Sequence, residues 1–71
     1  MIFLCWVEYP QMMLCIHRTE SNAFFCSKYI NGSKVTGANW EFKTKEELED
    51  FLLSLPSAPE DFIKNMIYGI S

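Results

Sequence analysis

Two segments near the start of the chain, Ile2 to Glu8 (IFLCWVE) and Met12 to Arg18 (MMLCIHR), carry apolar residues at alternate positions of both parities. A strand with one wet face is apolar on a single parity, so the sheet these segments form must be covered on both sides. Their aromatic and β-branched residues give them strand character, and Tyr9-Pro10-Gln11 between them reads as a tight connection. Thr19 to Asn22 is a polar break, after which Ala23 to Ile30 (AFFCSKYI) runs into Asn31-Gly32. Both of those residues tolerate positive φ, which predicts a type I′ hairpin. Ser33 to Phe42 is then the returning strand, with Gly37 marking a bulge or bend.

After Phe42 the apolar period changes from 2 to 3.6. Thr44 precedes Glu47 by three residues, the spacing of a capping box in which hydroxyl and carboxylate each satisfy a backbone N–H at a helix start. Leu48, Phe51, Leu52 and Leu55 share one stripe of that helix, and Glu46, Glu47, Glu49 and Asp50 share the other. Those carboxylates also lie in the first two turns, where the helix dipole favours negative charge. Pro56 ends the helix. Ser57 and Glu60, with Pro59 in the first turn, start a second one whose apolar face is Phe62, Ile63, Met66, Ile67 and Ile70, stopped near Gly69.

The expected fold is therefore α+β: a four-stranded antiparallel meander followed by two short C-terminal helices packed on one sheet face, in a single small domain over residues 1–71. A chain of this length has a radius of gyration of roughly 11 Å and cannot bury two separate cores. Two short helices cover one side of such a sheet, and nothing remains for the other. Strict alternation sets Phe3, Cys5 and Val7 against Ile2, Leu4 and Trp6, so either choice of parity leaves large apolar residues uncovered. Exposed apolar patches beyond a few hundred Å² mark interfaces, and the simplest partner is a second copy. Burying about 400 Å² per subunit contributes on the order of 10 kcal/mol before association entropy is subtracted.

Net charge is −3 and unevenly placed. Residues 1–45 hold five bases against Glu8, Glu20 and Glu41, whereas residues 46–71 hold six acids against Lys64. An acidic half steers the molecule toward basic partners and away from phosphate backbones. Cys5, Cys15 and Cys26 are odd in number and sit in apolar runs, which fits reduced core thiols and a cytoplasmic location. The opening apolar run has no basic segment before it and is interrupted by Glu8, unlike a signal peptide or a membrane span.

The constellations that could carry chemistry are few. Cys15 and His17 point to one face, but a thiol–imidazole pair needs a third group to orient the ring, and none is evident. Cys5, Cys15, Cys26 and His17 lack the close pairing of structural zinc ligands. Trp40, Phe42, Lys43 and Lys45, with Lys28, Tyr29 and Lys34, would make an aromatic and basic surface for stacking bases if all faced outward. The competing reading packs Trp40 and Phe42 under the helices. No enzyme activity, cofactor or metal is expected. The best candidate for a partner-binding surface is Glu46, Glu47, Glu49 and Asp50 around Leu53, with Tyr68 on the polar side of the second helix.

In size and charge alone the chain resembles the small inhibitors of phages and mobile elements, anti-CRISPR proteins among them. That resemblance implies a protein that occupies a partner's surface, often one evolved to hold nucleic acid, with carboxylates standing in for phosphates. The expectation is a non-enzymatic protein–protein interaction module, an acidic inhibitor or adaptor that forms a homodimer and binds a basic partner. The alternatives are a nucleic-acid-binding sheet and a small Cys/His metal-binding protein.

Overall fold

The computed structural model describes residues 1–70. Four strands, β1 (Ile2–Tyr9), β2 (Met12–Arg18), β3 (Phe24–Ile30) and β4 (Ser33–Phe42), are followed by helices α1 (Lys45–Ser54) and α2 (Glu60–Gly69). The strands form one sheet in the order β1-β2-β3-β4 with every pair antiparallel, so the meander read from the sequence is the fold. The radius of gyration is 11.3 Å and the shortest extent 16 Å, room for one sheet and one helical layer but no third.

The turns follow from local chemistry. Asn31 and Gly32 take φ of 50° and 81°, the left-handed pair that a type I′ turn requires. In the β2–β3 loop, Thr19 Oγ1 accepts from the Ala23 N–H at 3.0 Å, and the Thr19 N–H donates to the Ala23 carbonyl at 2.9 Å. Gly37, at φ 82°, lies where β4 takes five steps, Lys34 to Asn39, against the two steps of β3 from Tyr29 to Ser27. That is the expected bulge, and it is wide.

One bulge was not legible. Phe3 pairs with His17 and Cys5 with Ile16, so Leu4 is an extra residue in β1 and the alternation slips there. Strict alternation had set Phe3 against Trp6; the slip puts them on the same face, their rings 6.0 Å apart.

The core lies between the other face and the helices. Val7, Leu14, Ile16 and Cys26 from the sheet meet Leu48 and Leu52 of α1 and Ile63 of α2, all inaccessible to solvent. The capping box forms as expected: the Glu47 N–H donates to Thr44 Oγ1 at 3.1 Å, and Glu47 Oε1 accepts from the Thr44 N–H at 3.2 Å. Leu55 ends α1 in extended conformation, ψ 145°, as the residue before a proline must.

The start of α2 differs from expectation. Ser57 adopts φ 59° and makes no cap; Pro59 occupies the N-cap position, and its carbonyl accepts the first helical bond from the Ile63 N–H at 3.0 Å. Phe62 also leaves the expected apolar face. It stands 100° around the helix from Ile63 and is 47% exposed.

Candidate functional site

The strand registers arrange the face turned away from the helices as three rows of four. The first row is Phe3, His17, Phe25 and Glu41; the second is Trp6, Cys15, Ser27 and Asn39; the third is Glu8, Met13, Tyr29 and Lys34. Each row runs across the sheet from β1 to β4. Among the described residues no helix covers this face, and the side chains compensate in part by lying over one another. Phe3 meets the His17 ring edge-on at 5.7 Å, and Trp6 reaches across β2 to meet Tyr29 edge-on at 4.9 Å. These rings roof the centre, where Cys15 and Ser27 are almost fully buried although they point away from the core. Above the rings lies solvent: Phe3 is 49% exposed and Trp6 40%. Glu8, Lys34 and Glu41 occupy three of the four corners, so the face has an apolar centre and a charged rim.

The Cys15–His17 pair lies within this roof, Sγ 3.6 Å from Nδ1. Burial pushes the Cys15 thiol up from its ordinary value of 9.0, with the Lys34 ammonium pulling it partly back. A protonated, covered thiol is a poor nucleophile. Cys5 is raised by burial and by the neighbouring Cys15 thiol, and Cys26 is pushed to about 12, again chiefly by burial. All three are free. The sheet separates Cys15 and His17 from Cys5 and Cys26, and among the described residues no group of three or more His, Cys, Asp or Glu is placed to hold a metal ion.

The aromatic and basic surface does not assemble in the combination the sequence offered. Trp40 and Phe42 turn to the helix side and stack against Phe51 of α1 at 4.9 and 5.0 Å. Lys45 Nζ donates to the Ile70 carbonyl at 3.2 Å, tying α1 to the end of α2. Lys28 parts from Tyr29 and Lys34 and lines a cleft of about 360 Å³ on the helix side, beside Met12, Ile30 and Leu55.

On α1, Glu46 and Asp50 are exposed one turn apart. Glu47 is exposed but committed to the capping box, and its Oε1 also accepts from the Lys43 N–H at 3.1 Å. Glu49 is half-buried, and Leu53 is half-buried against the core rather than standing free among the acids. Tyr68 is 91% exposed.

Sequence reasoning missed two features. The Leu4 bulge has no signal in composition, because a leucine in a bulge and a leucine in a ladder look alike. The other is the Tyr9 hydroxyl, buried and donating to the Leu52 carbonyl at 2.7 Å, which joins β1 to the last turn of α1. A tyrosine alternating with Val7 and Cys5 on an inward parity was the available hint.

Fold and face together define a two-layer α+β domain whose sheet is open on one side and lined there by aromatic side chains. No protein-family model, curated protein or solved structure matches this chain. Among the described residues no helix is long and apolar enough to cross a membrane.

Proposed function

We propose that this chain is a non-enzymatic protein–protein interaction module, a small acidic inhibitor or adaptor that pairs with a second copy through its open sheet face and presents α1 to a basic partner. The observation that carries the reading is the open face itself, with an exposed aromatic centre and charges at its corners. Phe3 and Trp6 each leave about 100 Å² in solvent. With the half-buried Met13, His17, Phe25 and Tyr29 and the rim, the face offers on the order of 500 Å² per copy. Two such faces reach the roughly 1,000 Å² total that a specific interface needs.

The acidic end of the molecule supports the second half of the reading. Glu46 and Asp50, flanked by Glu49, project from the layer opposite the open face, so a basic partner and a second copy do not compete for the same surface. Carboxylates on such a helix suit a protein surface built for phosphates, the mode that the likeness in size and charge to phage inhibitors implies.

Sedimentation over a wide range of concentration tests the reading. A monomer–dimer equilibrium is expected, shifted to monomer by Trp6→Lys, which replaces a roofing ring of the face with an ammonium. A chain that stays monomeric throughout overturns the reading. So does retention of single-stranded nucleic acid at low salt that is lost in Trp6→Lys, since the rings would then be serving as a base-stacking platform.

A further inference from the structure

We infer that two copies stack their open faces about a two-fold axis parallel to the strands, so that β1 of each copy lies over β4 of the other and Glu8 pairs with Lys34 of the second copy. This rests on the pairing reading above and adds its geometry. A half-turn about an axis running along the strands between β2 and β3 keeps each row over its own row and reverses the order within it. Glu8 and Lys34 stand at opposite ends of the third row, so reversal brings each carboxylate over an ammonium, twice per dimer. Packed sheets lie about 10 Å apart, a gap that a glutamate and a lysine side chain span together. Lys34 already reaches over this face, close enough to act on the Cys15 thiol.

Size complementarity selects this axis over the other simple one. In the second row Cys15 and Ser27 lie under the rings, so the bulk to be accommodated is the Trp6 ring, which leans across β2; the reversal sets it over β3 of the second copy, beside that copy's Trp6 ring and not on it. An axis across the strands instead lays each strand over itself. It stacks the Trp6 ring on the Trp6 ring of the second copy, large on large, which holds the faces apart around the rings and loses dispersion contact. That second arrangement would pair Lys34 with Glu41, so charge alone does not separate the two, and the bulk of Trp6 does. The product is a four-layer dimer with the helices outside and the two sheets between them, and both acidic α1 helices remain free.

Charge reversal on the full-length chain tests the inference, because Glu8 and Lys34 are both exposed and their exchange leaves the core untouched. By sedimentation equilibrium, Glu8→Lys and Lys34→Glu are each expected to weaken the dimer about tenfold, through close like charges. The double variant Glu8→Lys/Lys34→Glu is expected to restore it to within about twofold of the unmodified chain. Single variants without effect, or rescue by Lys34→Glu/Glu41→Lys in place of Glu8→Lys/Lys34→Glu, would overturn this stacking while leaving self-association intact. An unmodified chain that never dimerises removes both.

Discussion

Tyr9 ties the sheet to the helix layer with one bond. Its hydroxyl satisfies the Leu52 carbonyl, one of the last acceptors of α1 that has no partner within the helix. Removing the hydroxyl strands that carbonyl where water cannot replace the donor, so Tyr9→Phe is expected to cost about 1–2 kcal/mol by chemical denaturation. An unchanged midpoint would show that the carbonyl finds water. The same burial, with the Cys26 thiol nearby, pushes the Tyr9 hydroxyl from 10.0 to about 12. Cys26 moves from 9.0 to about 12. Both groups hold their protons more tightly when folded, so their contribution is complete below pH 9 and is lost as pH climbs toward 12 while the unfolded chain ionises first. Stability is therefore expected to fall across that window. In Tyr9→Phe the fall above pH 10 should be shallower, and an equally steep profile would assign the loss to other groups.

At the scale of elements, what the sequence disclosed was whatever depends on near neighbours in the chain. The Asn31-Gly32 turn, the Gly37 bulge and the Thr44–Glu47 box are each encoded within a few residues, and each formed as read. Ser57 and Glu60 have the same spacing as that box and did not form one. Pro56 and Pro59 on either side constrain the loop, Ser57 takes a left-handed conformation, and Pro59 takes the N-cap position without a side-chain cap. The Leu4 slip was beyond local reading because it is settled by which residues of β1 and β2 pack best across the strand pair. The open face was legible in outline, since excess apolar residues on both parities demand cover, but its membership was not: Phe3 joins Trp6 only through that slip. Thr44→Ala is expected to cost about 1 kcal/mol, the usual loss for an N-cap hydroxyl, with α1 fraying from its first turn in hydrogen exchange. Gly32→Ala should cost a similar amount through strain at φ 81° alone, since a Cβ there meets nothing within 4 Å. If neither change alters the denaturation midpoint, the hairpin and the cap are not what hold these ends.

For the whole molecule, the separation of charge from apolar surface decides how its two proposed contacts can be told apart. The open face belongs to the strands and carries Glu8, Glu41 and Lys34 at its corners, whereas the acidic run of α1 belongs to the helical layer on the far side. A partner drawn by electrostatics would meet α1 first, through Glu46 and Asp50, which project to solvent one turn apart. Reversing both to lysine changes the local charge by four units and is expected to weaken capture of a basic protein strongly at low salt and progressively less as salt screens the surface. The substitution at Glu46 also removes a favourable first-turn interaction with the α1 dipole, about 0.5 kcal/mol, whereas Asp50 lies beyond that turn, so only a small loss of stability is expected as well. Self-association provides the internal control: Glu46→Lys/Asp50→Lys should sediment as the unmodified chain does, because neither residue lies on the open face. If the double reversal leaves capture unchanged, the acids are a solvated helix surface and the partner docks elsewhere. If capture and self-association fail together, the two contacts share one surface, and an open face on one side with an acidic helix on the other does not describe how this molecule binds.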